Sequence, residues 1–546
     1  MRVRSDSGGL SVHAVAGTNV VLLGFDLSKA KTKGLLGFAI QRWDPTENER
    51  YWLRGYKVFE ETSEGIRAGA SVSLIEHPVQ SFLWGDYTTK PGRRYEYKIV
   101  ALYGKPKNLE IRHSVAVTVT TERVDDGAHA VHFNRGVAGS QAYVSRFGNR
   151  RPRADDRSDQ AYDWLSRGLE EALLDFVDSA TEPGFAIRGS VYEFAYPPVL
   201  DALKKAVDRG VDVRIIYDRR GRPSTDDARP KVWELTERAV EAAGLGAHMV
   251  PRRTNSAISH NKFLVRLEHG TPTAVWTGST NLTWGGLFGQ SNVGHLVRDA
   301  TVAAAFHDYW TRLADDPEYA VIRAANTAAG PDPGLPLAAG TTTVFSPRTG
   351  LGLVDWYAAQ AARAERSFFM TAAFGVHDKI AAAVAPESDV MRYLVLEKES
   401  DGVRFDLDHD VKIAVGSFLR TGVLDRWTKE QLTGLNTHVR YSHTKFMLVD
   451  PLGPNPVVIS GSGNFSDPSV TSNDENMLLI QGDTRVADIY LGEFMRIFNH
   501  FYFRYLRQKL DHADESRTAY LVDNDSWVNR YYDKSTPSYR QRMLFR

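Results

Sequence analysis

Short apolar runs of period two fill the first 122 residues, and runs of mixed period fill the rest. Val20–Phe25, Leu36–Ile40, Tyr95–Ala101 and Ser114–Val119 alternate or cluster as strands do, with turn residues between them and no long helical pattern. Residues 1–122 are therefore expected to form an all-β sandwich, with Trp43, Trp52 and Trp84 spent on core or hairpin packing. A polar, turn-rich linker is expected over 123–158, after which Tyr162, Leu165, Leu169, Leu173 and Phe176 fall at helical spacing. A strand from Phe185 to Phe194, a helix from Pro197 to Asp208 and a strand from Val211 to Tyr217 follow. The helix opens on two prolines and closes at Gly210, as start and stop chemistry requires. Strand, helix, strand of this length is a right-handed crossover.

The order then repeats. A helix from Leu353 to Ala364 precedes a strand from Ser367 to Phe374, a helix from Val376 to Val384, a strand from Arg392 to Leu396 and another from Lys412 to Val415. Two α/β domains are expected, 159–330 and 331–510, joined through the Ala-, Gly- and Pro-rich stretch Asn326–Pro336. An amphipathic helix beyond Asp488 and a tail over 511–546 that packs back onto a domain complete the chain.

The repeat carries chemistry. His260-Asn261-Lys262 precedes Gly278-Ser279-Thr280-Asn281, and His443-Thr444-Lys445 precedes Gly461-Ser462-Gly463-Asn464. The same interval separates His from the first Gly in both copies, 260 to 278 and 443 to 461. Apolar β-formers follow each lysine and precede each glycine, so each copy reads as strand, turn, strand, loop. Residues two apart on a strand share a face, which puts each His beside its Lys. One His, one Lys and a shelf of Ser and Asn make a phosphate-binding set. Two such sets supply a nucleophile, an acid for the leaving oxygen and positive charge for the non-bridging oxygens of a phosphodiester, without a metal. Lys262, Lys445, Asn281, Asn464, Ser279 and Ser462 are expected on the phosphate oxygens. A carboxylate on a ring's other nitrogen fixes a histidine tautomer, and Glu475 is the candidate. The step from Asn464 to Glu475, repeated from Asn281, lands on the amide Asn292, so an asymmetric site is expected.

These motifs resemble those of the phospholipase D superfamily, in which His-x-Lys, four residues, Asp and Gly-Ser-x-Asn occur twice around one site. The second copy matches in full, with Asp450; the first has Leu267 where the Asp belongs, as in tyrosyl-DNA phosphodiesterases. The resemblance covers roughly residues 130 to 505 and implies a pseudo-twofold pair of domains. It also implies a phosphohistidine intermediate, with His260 as nucleophile and His443 as acid and base. The segment Lys90–Ala101 is similar to late strands of fibronectin type III domains.

Composition adds bounds. With Lys plus Arg and Asp plus Glu balanced at 67 each, no global field attracts polyanions, so any such attraction is local. Arg219, Arg220 and Arg222, past the carboxyl end of a strand, are the expected substrate-binding cluster. Arg146, Arg150, Arg151, Arg153 and Arg157 read either as a solvated loop or as a phosphate-contacting rim. These arginines favour nucleic acid over phospholipid as the diester. The absence of cysteine removes thiolate nucleophiles, disulfides and Cys-based zinc sites. The other histidines lack zinc-site spacing, and Asp406, Asp408 and Asp410 around His409 read as a solvated acidic turn. No cofactor, metal or transmembrane segment is expected, and a cytoplasmic phosphodiesterase is the reading.

Overall fold

The structure is a computed structural model that describes residues 1–67, 70–136, 141–148, 150, 152–153, 156–221, 230–254, 257–330, 337–397, 411–415, 442–509 and 520–546. Its N-terminal region is rich in strands, arranged as two four-stranded antiparallel sheets. One takes Arg2–Ser7, Leu10–Ala16, Val21–Leu27 and Leu83–Asp86 in that order. The other takes Asn108–Thr120, Arg94–Lys105, Leu35–Asp44 and Glu49–Trp52. Inward positions of both sheets, among them Leu23, Phe25, Phe38, Tyr97 and Val117, share one core. Trp52 and Trp84 pack against it, while the Arg50 guanidinium lies 4.7 Å from the Trp43 ring. The chain's far end completes this core with Trp527, Val528 and Tyr531, and Arg542 pairs with Asp26 at 2.7 Å.

Two seven-stranded sheets follow. The first runs His129–Phe133, Val293–Val297, Thr271–Gly278, Lys262–Glu268, Phe185–Val191, Asp212–Asp218, Met249–Arg252. The second runs Gly340–Ser346, Glu475–Gln481, Val457–Gly461, Phe446–Val449, Ser367–Ala372, Met391–Leu396, Val411–Val415. Place by place they agree. The first five strands of each are antiparallel neighbours and the last three are parallel. Helices Pro197–Asp208 and Asp378–Val384 make the matching crossovers.

Two expectations change. His129–Phe133, inside the expected linker, is the edge strand of the first large sheet, because its alternating residues pair with Val293–Val297. The helical spacing from Tyr162 to Phe176 belongs to two helices, Gln160–Ser166 and Leu169–Asp178. Arg167 and Gly168 between them adopt left-handed backbone at φ 51° and 91°. That turn carries the Arg167 guanidinium to Glu493 at 2.7 Å. Of the expected junction, Asn326 lies in helix Tyr319–Ala329 and is buried; 331–336, the acidic turn around His409 and the residues 511–519 of the tail lie outside the described residues.

The two large sheets meet through one apolar cluster that includes Phe263, Phe306, Tyr309, Phe345, Phe369, Phe446, Tyr490 and Phe494. Fully burying each of these phenylalanines contributes about 1.5–3 kcal/mol. Helix Thr484–Lys509 contributes Tyr490 and Phe494 to that seam, and the Met1 amino group and Arg2 bind its Asp488. No helix among the described residues is long and apolar enough to cross a membrane.

Candidate active site

Both motifs converge where the two large sheets meet. Each half holds the other's histidine. The His260 amide donates to the Asp474 carbonyl at 3.0 Å, and the His443 amide donates to the Ser291 carbonyl at 3.1 Å. One residue earlier, the Ser259 amide donates to Asp218 at 2.7 Å and the Ser442 amide to Glu397 at 3.0 Å. These two acids were not foreseen; an acid at the carboxyl end of the second parallel strand in both halves was the available signal. Arg252, fully buried, ties Asp474 at 3.1 Å to Asp316 at 3.0 Å and braces the first pin.

The side chains repeat the exchange with one substitution. His260 Nδ1 donates to the Glu475 carboxylate, 3.0 and 2.9 Å from its two oxygens. His443 Nδ1 donates to Asn292 Oδ1 at 2.9 Å and to the Ser279 carbonyl at 3.1 Å. Asn292 is fixed in that orientation because its Nδ2 donates to the Gly286 carbonyl at 2.7 Å. In both histidines Nδ1 carries the proton, which leaves Nε2 as the lone-pair nitrogen.

Burial sets the charge states. It pushes Glu475 up to about 7, against the pull of Lys262 and hydrogen bonds from Ser462, Asn473 and Ser469. Burial and the two lysine charges hold His260 well below the usual imidazole range. His443 is lowered by burial, by Lys445 and Lys262, and by His260. Lys262 is lowered to about 8 by burial, although Glu475 and Glu193 favour its charge. Lys445 falls well below its ordinary value through burial and repulsion from Lys262. Each lysine folds back on its own histidine, Lys262 Nζ to the His260 carbonyl at 2.5 Å and Lys445 Nζ to the His443 carbonyl at 2.7 Å. Two cations buried together gain from an anion arriving between them.

Three groups of expected site residues are placed differently. Ser279 Oγ donates to Asn292 Oδ1 at 2.8 Å and accepts from the Val293 amide, while Ser462 Oγ accepts from the Asn476 amide at 3.0 Å. Both serines are fully buried, Ser279 against the Asn292 that backs His443 and Ser462 against the backbone next to Glu475. Gly278 and Gly461 precede them because a Cβ there would stand 2.2 Å from the carbonyl oxygens of Val293 and Asn476. Asp450 is not among the reacting groups. It follows the strand Phe446–Val449, at φ 47°, and accepts from the amides of Glu365, Arg366 and Ser367 at 2.8–2.9 Å. Five residues of extended chain, ~16 Å, separate it from Lys445. In the first half the strand Lys262–Glu268 runs on through that position, so Leu267 pairs with Ala186 and enters the core. The Asp-for-Leu difference is thus one of turn geometry.

Asn281 and Asn464 are near-buried with Oδ1 unpartnered among the described residues. Asn281 Nδ2 donates to Glu193 at 2.7 Å. The Tyr192 ring lies 5.3 Å from that of His260 and 5.5 Å from Lys262 Nζ. No motif pointed to Tyr192 or Glu193. Arg219 binds Glu237 at 2.7 Å and lies 3.6 Å from the Trp233 ring; Arg220 is exposed and close enough to Tyr192 for its charge to act there. Arg222 and Arg151 lie outside the described residues. Arg150 pairs with Asp159, Arg153 with Asp156, and Arg157 with Glu170 and Asp163.

A domain family described as cardiolipin synthase, PLD-like domain, matches residues 173–314 and 362–498, just over half of the chain. No curated protein matches. Among solved structures, phosphatidylserine synthase from Haemophilus influenzae Rd KW20 is similar at 11% identity over 65% of this chain and 94% of that one, with a TM-score of 0.42. The phospholipase D family member Nuc from Salmonella typhimurium is similar at 27% identity over 26% of this chain and 84% of that one, with a TM-score of 0.21. Polyphosphate kinase from Porphyromonas gingivalis is similar at 13% identity over 58% of this chain, with a TM-score of 0.37; the match spans 46% of that kinase.

Proposed function

The chain belongs to the PLD-like domain family, and on that premise we propose that it hydrolyses or transfers phosphodiesters through a phosphohistidine on His260. The observation that carries this reading is the unequal backing of two histidines beside two buried lysines, a carboxylate for one ring and an amide for the other. A carboxylate behind His260 Nδ1 raises the nucleophilicity of Nε2 and stabilises the ring as it becomes cationic. His260 Nε2 attacks phosphorus, the bond to the departing alcohol oxygen breaks, and His443 Nε2–H gives that oxygen its proton. The anionic phosphate raises the His443 pKa enough for it to hold that proton. His443, now neutral, takes a proton from water or an acceptor alcohol, whose oxygen attacks phosphorus and releases His260. Lys262 and Lys445 carry the charge of the non-bridging oxygens, the task a metal performs in other phosphodiesterases.

Arg219, Arg150, Arg153 and Arg157 are engaged in ion pairs, which weakens the case for a nucleic-acid track. Nuclease action and cleavage of phospholipid headgroups are accordingly tested together. We read the N-terminal sheets as a fibronectin type III-like module. The test is turnover of bis(p-nitrophenyl) phosphate, labelled single-stranded DNA and RNA, and phosphatidylcholine vesicles in excess chelator. Turnover of at least one is expected. Activity that disappears on chelation and returns with magnesium or zinc contradicts the two-histidine mechanism. Inactivity on all of them with retained phosphate binding assigns a decayed binding module.

A further inference from the structure

Strand register locates a second asymmetry between equivalent positions of the two halves. Phe263 and Phe446 follow the motif lysines and pair with Ser190 and Thr371. Three residues past those partners stand Glu193 in one half and Phe374 in the other, the first half-buried and the second 59% exposed. Glu193 sets its carboxylate beside Asn281 of the first motif and is close enough to both lysines for its charge to favour theirs. Its carboxylate only accepts hydrogen bonds, so the Asn281 amide must turn its NH2 toward Glu193 at 2.7 Å. The same turn leaves Asn281 Oδ1, on a residue 7% exposed, without a partner among the described residues.

Both groups are acceptors. The non-bridging oxygens of a phosphodiester are acceptors too, so neither Glu193 nor Asn281 Oδ1 complements the phosphate itself. They complement a donor carried by the group esterified to it. We propose that Glu193 and Asn281 Oδ1 form the specificity site for the alcohol portion of the substrate, receiving a hydroxyl or a primary ammonium that it carries. Tyr192, beside His260 and Lys262, supplies the apolar wall of that subsite. The assignment rests on the phosphodiester reading above.

The test compares three p-nitrophenyl phosphodiesters whose second alcohol is ethanol, 2-aminoethanol or glycerol. The readout is the ratio of kcat/KM within each protein, in which a general loss of activity cancels. The parent should favour one or both donor-bearing esters over the ethyl ester by about tenfold or more, as hydrogen bonds to a charged group do. The aminoethyl and glyceryl arms tell an ammonium ligand from a hydroxyl ligand. Glu193→Gln keeps an oxygen for Asn281 Nδ2 but loses the charge, and should collapse the aminoethyl preference. Glu193→Ala should collapse both preferences. Equal rates on all three esters in the parent, or a ratio unchanged in Glu193→Gln and Glu193→Ala, overturns this assignment while leaving the phosphodiester reading standing. Hydrolysis of none of the three by the parent overturns both.

Discussion

The two large sheets have the same strand order, the same motif and the same way of pinning the partner's histidine, yet they differ at the positions that govern charge. Behind His260 stands Glu475; behind His443 stands Asn292. Three residues past the strand partners of Phe263 and Phe446 stand Glu193 and Phe374. Backbone geometry is what the two halves share, each pinning the other's histidine through the Asp474 and Ser291 carbonyls. Division of labour between two chemically identical imidazoles then needs only a change of the group behind each ring, carboxylate against amide.

The largest effect should separate the histidines themselves. His260→Ala is expected to lose on the order of 10⁴-fold or more in kcat, as removal of a covalent nucleophile does. His443→Ala should lose far less on a p-nitrophenyl ester, whose leaving group needs little protonation. Steady-state kinetics on p-nitrophenyl and alkyl diesters reads both; equal losses on the two substrates would erase the distinction.

Next is the backing group. Glu475→Gln should lower kcat by about 10²-fold or more, whereas Asn292→Ala should cost less. Stability should move the other way. Burial raises the Glu475 carboxyl to about 7 in the folded protein, so between its unfolded value and 7 the folded state binds the extra proton. Its ionisation therefore subtracts stability as pH rises through that window, and the full cost is present above 7. Thermal denaturation should show Glu475→Gln more stable than the parent at pH 8, the gap closing toward pH 4.5. A variant less stable at pH 8 would contradict this.

Smaller again is the alkaline limb. Lys262 loses its charge at about 8, so kcat/KM should fall above that pH in the free enzyme and not near 10.5. Lys262→Arg should carry the limb to higher pH, since a guanidinium stays charged. The smallest effect on chemistry belongs to Asp450. Asp450→Ala should cost about 1–3 kcal/mol of stability through three lost amide bonds, measured by denaturant unfolding, with activity per folded molecule held within about twofold. Leu267→Asp, which completes the first motif on paper, should destabilise the core without raising activity.

Much of the scaffold was legible because the apolar period changes from two to mixed where the sheets change, and because an apolar run follows each motif lysine; the histidines themselves precede the strands Lys262–Glu268 and Phe446–Val449 and do not lie on them. The unequal acid also followed from counting residues past each Asn. What spacing does not reveal is exchange between halves: Glu475 reaches His260, 215 residues away in sequence, and not the His443 of its own motif. Ser279 and Ser462 look like phosphate ligands until their hydroxyls are found holding Asn292 and Asn476. Glu193 belongs to no motif; it lies two residues past the strand Phe185–Val191, where the Leu282 amide donates to its carbonyl at 3.1 Å. His129–Phe133 escaped because a five-residue edge strand among turn residues carries too short a pattern to stand out.

The most direct measurement is rapid-quench trapping of the phosphoenzyme. With p-nitrophenyl diester as substrate, His443→Ala should accumulate acid-labile, base-stable phosphate that peptide mapping places on His260, and His260→Ala should accumulate none. Phosphate on His443 in the His260→Ala variant would exchange the two roles, and no adduct in either variant or the parent during clear parental turnover would contradict covalent catalysis.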